Sequence, residues 1–213
     1  MKKSKFSLPV MMATVILMAG SCRKNVVDNV SDNDSRVYIT RFDSTATFNG
    51  YQTFRIADSV SIIKNGKSVQ QAFTSYDSSM LAALSQEMIQ RGYSLITDKT
   101  AAADLGVHVS RVYNDYTGII SYDNYWGEYG NYWDPYYWGY GGYGYYFPYA
   151  FGTYTVRDGA ISIDMIDLKN PNKTTNKLRS IWSALGKGSG IFNVANVNEE
   201  VQAFFGQSAY IQK

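Results

Sequence analysis

Asp104-Leu105-Gly106-Val107-His108-Val109-Ser110-Arg111-Val112-Tyr113 alternates residue by residue. Leu105, Val107, Val109 and Arg111 fall on one side, and Gly106, His108, Ser110 and Val112 on the other. A period of two belongs to a β-strand. Just upstream the period changes. Met80, Leu81, Leu84, Met88 and Ile89 recur three and four apart, which predicts an amphipathic helix, with Asp77 as its N-cap and Gly92 at C′. Tyr93–Thr97 reads as a short strand between the two.

Reading outward in both directions completes the pattern. Toward the N-terminus, Val37–Phe42 is rich in β-formers and Tyr51–Ile56 alternates, with turn signals at Asn49-Gly50 and Asn65-Gly66. Toward the C-terminus, Ala160–Leu168 and Ser180–Leu185 predict a strand pair joined by the polar turn Lys169–Lys177. Val194, Val197, Val201 and Phe204 then stripe a last helix, Val194–Phe205. The order β-β-α-β-β, insertion, β-β-α predicts an α+β fold. It is a two-layer sandwich of a mostly antiparallel sheet and two amphipathic helices, forming one domain over residues 36–213.

The insertion spans Tyr122–Tyr154 and has its own composition. Its 33 residues hold 12 Tyr, three Trp and two Phe, broken by seven glycines and two prolines. No helical period or alternation persists, so a long loop or irregular hairpin is expected. Loops of this length are usually functional or disordered. Tyr and Trp offer a rigid apolar face with a polar tip, suited to sugars, proteins or membrane headgroups. The candidate binding residues are Trp126, Trp133, Trp138, Tyr136, Tyr137 and Tyr140. The opposing expectation is a flap packed onto its own sheet.

The first residues carry Lys2, Lys3 and Lys5, and a short apolar stretch runs from Phe6 to Gly20. That layout predicts a signal peptide over residues 1–21, too short to span a bilayer, which needs about 20 apolar residues. Leu17-Met18-Ala19-Gly20-Ser21-Cys22 resembles a bacterial lipobox, which makes Cys22 the lipidated N-terminus of the mature chain. Cys22 is the only cysteine, so no internal disulfide competes for it. Residues 22–35 read as a tether, its 13 residues after Cys22 reaching about 20 Å on average. Without the three signal lysines, 17 basic residues face 18 acidic ones. That balance, with no basic run, argues against nucleic-acid binding.

Catalytic chemistry is thinly supplied. His108 is the only histidine and sits mid-strand, so a structural role is expected. One histidine and one lipidated cysteine leave no zinc set, no EF-hand-like loop supplies calcium ligands, and no cofactor motif is present. Gly186-Lys187-Gly188-Ser189-Gly190 lacks the Walker spacing and reads as a turn. Asp164 and Asp167 form the most tempting acid pair. Three apart on a regular strand, they face opposite sides and serve as a structural pair rather than a shared-proton dyad.

Several stretches in order carry a resemblance. They are Phe48-Asn49-Gly50-Tyr51-Gln52-Thr53-Phe54, Arg91-Gly92-Tyr93, Ala103-Asp104-Leu105, the aromatic insertion, Ile161-Ser162-Ile163-Asp164-Met165-Ile166-Asp167 and Trp182. Together these resemble the bacterial lipoprotein family known as domain of unknown function 4136, over about residues 36–205. The resemblance implies an envelope address and an architecture, without a substrate. Arg23-Lys24-Asn25 lacks the acidic run that often marks surface export, which favours the periplasmic face of the outer membrane. The expected function is a non-enzymatic envelope lipoprotein whose insertion binds a protein or glycan. The alternatives are a structural or assembly lipoprotein with a self-packed insertion and, third, an enzyme acting on envelope polymers.

Overall fold

The computed structural model describes residues 35–65, 67–69, 73–113, 119–121, 135–149, 153–155 and 159–213. In chain order these form β1 (Val37–Phe42), β2 (Thr53–Lys64), β3 (Lys67–Val69), α1 (Ser75–Gln90), β4 (Ser94–Leu95), β5 (Leu105–Tyr113), β6 (Ile119–Ser121), β7 (Gly144–Tyr146), β8 (Thr153–Thr155), β9 (Ala160–Asn172), β10 (Lys177–Lys187) and α2 (Val197–Gly206). Across the main eight-stranded sheet the order is β1-β10-β9-β5-β2-β3, with β4 beside β2 and β7 beside β10. Pairs are antiparallel except β2–β5, β2–β4 and β7–β10. The fold is an α+β sandwich of a mixed, mostly antiparallel sheet and two helices.

The two periods meet in one core. Tyr76, Met80, Leu84 and Met88 of α1 and Val197, Val201, Phe204 and Phe205 of α2 pack on Phe54, Leu105, Val107, Val109, Ile161, Ile163, Met165, Ile181 and Trp182. Trp182 is wholly buried. Its indole N–H donates to Ser208 Oγ at 2.9 Å and its ring lies 5.3 Å from that of Phe205. Burying the polar tip with a partner avoids the cost of an unsatisfied donor.

Several expected boundaries shift for local reasons. Thr74, not Asp77, caps α1: its hydroxyl accepts the Asp77 N–H, and the Asp77 carboxylate accepts the Thr74 N–H at 2.8 Å. Asp77 is the third residue of a capping box, which propensity alone does not separate from a cap. Ile89 turns outward, half exposed, because the buried stripe runs at intervals of four. The 160s hairpin is longer than its apolar runs: the strands reach Asn172 and restart at Lys177, so the turn shrinks to Lys173–Asn176. Apart from Leu178, which is buried in the second core, those extra rungs are polar because this end of the hairpin is exposed. Val194–Asn196 is a 3-10 turn before α2, and Val194 stays exposed.

The Gly186–Gly190 stretch closes the β10 end. Gly188 has φ +123°, and a Cβ there would lie 2.5 Å from the Ser35 carbonyl oxygen. Only glycine permits both the left-handed backbone and the close approach. At the opposite end of the helical layer, Gly92 (φ +96°) ends the α1 turn.

Candidate functional site

The second face of the sheet is built differently. Where the helix face is apolar, this face presents small polar side chains in cross-strand rows. Ser61, Ser110 and Ser162 register across β2, β5 and β9, and His108, Asp164 and Ser183 across β5, β9 and β10. Ser110, Ser162, His108 and Asp164 have no exposed surface. His108 Nε2 lies 3.2 Å from Asp164 Oδ2. Ser162 Oγ donates to the same oxygen at 3.3 Å, and Ser183 Oγ donates to Asp164 Oδ1.

A β-bulge at Ile181 organises the edge of this row. Ser180 registers with Ile166 and Trp182 with Met165, so Ile181 is an extra residue on β10. The bulge puts Ser180 and Ser183, three apart, on one face. There the Tyr149 hydroxyl bonds both, at 2.6 and 2.7 Å. No such shift interrupts the β5–β9 ladder, where Asp164 opposes His108 and Asp167 opposes Leu105. The two carboxylates therefore lie on opposite faces of β9. Asp167, fully buried, accepts from Tyr51 Oη at 2.9 Å, from the Asn170 backbone N–H at 2.9 Å and from Arg179 Nη2 at 3.1 Å. Burial, with the Asp167 charge beside it, pushes the Tyr51 phenol well above its ordinary range.

The aromatic insertion covers part of this face. β6 and β8 pair antiparallel and close its base, with Ile119 opposite Thr155. Pro135–Trp138 forms a 3-10 turn, and β7 runs parallel to β10 from Gly144 opposite Lys177. Trp138 and Tyr145 make a small second core with Ala57, Ile166, Leu168 and Leu178. The Trp138 indole N–H donates to Tyr145 Oη at 3.1 Å. Gly106 makes room: a Cβ there would meet the Trp138 ring at 3.1 Å.

The candidate residues thus have unequal roles. Trp138 is 5% exposed and offers no face to a ligand. Tyr137 is half-buried, and its hydroxyl donates to Asp58 Oδ1 at 3.2 Å. Tyr140 is also half-buried and bonds the Leu168 carbonyl at 2.6 Å. Tyr136 is 75% exposed. Trp126, Trp133 and Cys22 lie outside the described residues, as do the expected signal peptide and nearly all of the tether.

The His108–Asp164–Ser183 row is what separate inspection of each residue missed. Part of its signal was available, since one alternation face is small and polar on β5 (Gly106-His108-Ser110) and on β9 (Ser162-Asp164); the neighbouring of these strands and the bulge that brings Ser180 and Ser183 to one face left no such mark. Its order is carboxylate-centred, with Asp164 between the imidazole and the serine. A hydrolytic triad instead places the imidazole between nucleophile and acid. Among the described residues no three His, Cys, Asp or Glu side chains sit close enough to hold a metal, and no helix is long and apolar enough to cross a membrane.

Other stretches singled out in the sequence act as latches between elements. Arg91 donates to the carbonyls of Phe205, Ser208 and Ile211 at 3.0, 3.2 and 2.9 Å, and pairs with Glu87 at 2.7 Å. Tyr93 Oη donates to the Phe48 carbonyl at 3.1 Å. Asp104 accepts the Gln52 N–H at 2.6 Å and so fixes where β2 begins.

Fold and face define a class: an α+β sandwich with helices on one side and an aromatic flap over a polar floor on the other. Within it, the chain belongs to the DUF4136 family (domain of unknown function), whose model matches residues 39–208. The crystal structure of a DUF4136 family protein from Bacteroides thetaiotaomicron is similar, with a TM-score of 0.66 and 29% identity, covering 84% of this chain and 98% of that one. A PelC variant dodecamer from Paraburkholderia phytofirmans aligns over 78% of this chain and 94% of its own, at 11% identity and a TM-score of 0.34, too distant to inform fold or assembly. No curated protein matches the chain.

Proposed function

We propose that this chain is a non-enzymatic accessory lipoprotein of the bacterial envelope, anchored through Cys22 on the periplasmic face of the outer membrane, that binds an envelope glycan or protein with the outer rings of its insertion. The carrying observation is the division of labour within residues 135–149. Trp138 and Tyr145 wedge into the sheet, whereas Tyr136 and Tyr146 remain 75% and 52% exposed on the same segment. A wedge that fixes the backbone lets exposed rings bind at little ordering cost. The lipobox-like segment ending at Cys22 supports the anchor. The carboxylate-centred order and full burial of His108 and Asp164 favour a non-catalytic role.

The packing of Trp138 and Tyr145 favours a second reading, in which the insertion only shields the sheet and the protein serves in assembly. Deleting the insertion would strip the second core as well, so point changes at the exposed rings separate the readings better. Full-length protein in detergent, as wild type, Tyr136→Ala and Tyr146→Ala, is passed over immobilised cell-wall and capsular glycans and solubilised envelope proteins. Loss of retention at an unchanged melting temperature supports binding. Equal retention of all three, or none by any, supports the shield. Labelling with an acyl-chain analogue that Cys22→Ser abolishes tests the anchor. Turnover of an envelope polymer that Asp164→Asn or His108→Gln removes without unfolding would contradict the non-enzymatic reading.

A further inference from the structure

The exposed end of the β9–β10 hairpin and the neighbouring β7 enclose a groove of about 590 Å³, lined by Tyr146, Asn170, Asn172, Thr175, Lys177 and Arg179. Its size falls within the range usual for small-ligand sites. What distinguishes it is how the hydrogen-bonding capacity of its lining is spent. Arg179 is matched twice, by Asp43 and by Asp167, each at 3.1 Å. Asn170 gives its Nδ2 to both Asp167 oxygens, at 3.2 and 3.1 Å, which leaves its amide oxygen to accept. Asn172 Oδ1 takes the backbone N–H groups of Thr174 and Thr175, both at 3.0 Å, which leaves its amide nitrogen to donate. The Thr175 hydroxyl and the Lys177 ammonium have no partner among the described residues.

The groove therefore sets side by side an amide acceptor, an amide donor, a hydroxyl, one unpaired cation and the half-exposed ring of Tyr146. That mixture matches a sugar. Ring hydroxyls both donate and accept, the C–H face of a pyranose stacks on a phenol, and a single carboxylate answers a single ammonium. A second groove of similar volume, lined by Arg55, Lys99, Lys169 and Trp138 among others, lacks this character. There Arg55 bonds the Asp98 and Ala101 carbonyls, Lys99 pairs with Asp58, and Lys169 bonds the Gly50 carbonyl at 2.8 Å. Its cations are already occupied, and its tryptophan is buried.

We propose that the Tyr146–Lys177 groove binds a sugar unit bearing one carboxylate, the uronic-acid class of envelope polysaccharide. Tyr146 stacks on the ring, Lys177 pairs with the carboxylate, and Asn170, Asn172 and Thr175 read the hydroxyls. The assignment rests on the reading of the insertion as a binding element, since Tyr146 belongs to it, and supplies the ligand class.

The test is calorimetric titration of the full chain in detergent with oligogalacturonate, monomeric galacturonate, a neutral galacto-oligosaccharide and polyphosphate. Wild type is compared with Lys177→Gln, Tyr146→Ala, Tyr146→Phe and Tyr136→Ala. Oligogalacturonate is expected to bind, more weakly at high salt. Lys177→Gln should weaken it about tenfold or more, and Tyr146→Ala about three- to tenfold, with Tyr146→Phe restoring it. Tyr136→Ala should leave it unchanged. Binding of the monomer alone identifies the free acid rather than the polymer as the source of the carboxylate. Equal binding of the neutral sugar, equal binding of polyphosphate, or indifference to Lys177→Gln and Tyr146→Ala overturns the acidic-sugar site. Loss confined to Tyr136→Ala overturns the groove while leaving the insertion as a binding element. No carbohydrate binding at all overturns the groove, and the envelope-protein arm of the earlier experiment then decides the broader reading. The substituted side chains are exposed, so melting temperatures should match wild type in every variant.

Discussion

Asp77→Ala should be among the most damaging single changes in the helix layer. The Asp77 side chain is 1% exposed and serves two structures at once. Its Oδ2 accepts from the Thr74 N–H and hydroxyl at 2.8 and 2.9 Å, closing the α1 capping box, while its Oδ1 lies 2.9 Å from Arg111 Nε on β5. Losing a cap costs about 1 kcal/mol. Removing one partner of a buried pair costs about 3–5 kcal/mol, because the guanidinium keeps its desolvation and loses the Asp77 carboxylate. The losses share one carboxylate and are not additive, so about 3–5 kcal/mol in total is expected. Against a typical stability of about 5–15 kcal/mol, that is a large fraction. In urea melts followed by far-ultraviolet dichroism, the midpoint should fall by about 2 M. Asp77→Ala/Arg111→Met removes both charges and should recover roughly half of the loss. A midpoint shift below about 0.5 M for the single variant, or a double variant less stable than the single, would mean that Asp77 does not hold α1 to β5 through Arg111.

Three further outcomes follow from the same geometry. Burial raises the Glu200 carboxyl to about 7 from an ordinary 4.5, against the lowering effects of the Tyr76 hydrogen bond and Arg36 and with help from Glu199. The native state then holds a proton that the unfolded chain loses between pH 4.5 and about 7, so this group lowers stability as pH rises through that window and adds no further slope above it. Glu200→Gln should be more stable than wild type by about 1–3 kcal/mol at pH 8, with the gap closing toward pH 4.5; parallel urea-melt profiles would contradict this. Arg91→Ala removes three bonds to carbonyls in the last turn of α2 and the tail after it, and the stacking 4.9 Å from the Phe205 centroid, costing about 2–4 kcal/mol and speeding amide exchange at residues 207–213. Gly188→Ala forces a Cβ to 2.5 Å from the Ser35 oxygen. It should cost about 1–3 kcal/mol and expose the segment beside Arg36 to limited proteolysis.

Period was the most legible feature of the sequence. The alternation at Leu105–Tyr113 and the three-and-four spacing around Leu84 placed β5 and α1, because β5 turns one buried face to the apolar helix layer and the other to a small polar row, while α1 buries a single stripe. Boundaries were less legible where burial fades. β9 extends to Asn172 through residues with no apolar face, β10 begins at Lys177 with Leu178 as a lone apolar residue, and Thr74 outcompeted Asp77 as a cap through a reciprocal bond. Asp164 and Asp167 could be placed on opposite faces because β9 is regular between them. The neighbouring bulge at Ile181 leaves no comparable mark in the sequence, so the pairing of Ser180 with Ser183 was hidden. The link between His108 and Asp164 was equally hidden, since it depends on which strands are neighbours. In the insertion, composition marked the segment but could not tell Trp138, which the space above Gly106 admits to the sheet, from Tyr136, which faces solvent.

Hydroxyl-radical footprinting of the full chain in detergent tests at once whether inner rings pin the insertion and whether outer rings bind. Trp138 and Tyr145 are expected to stay unmodified throughout. Tyr136 and Tyr146 should be modified in the free protein, and one or both should become protected when saturating envelope glycan and solubilised envelope protein are added. Ready modification of Trp138 would contradict the pinning, and outer rings labelled equally with and without that material would contradict the binding.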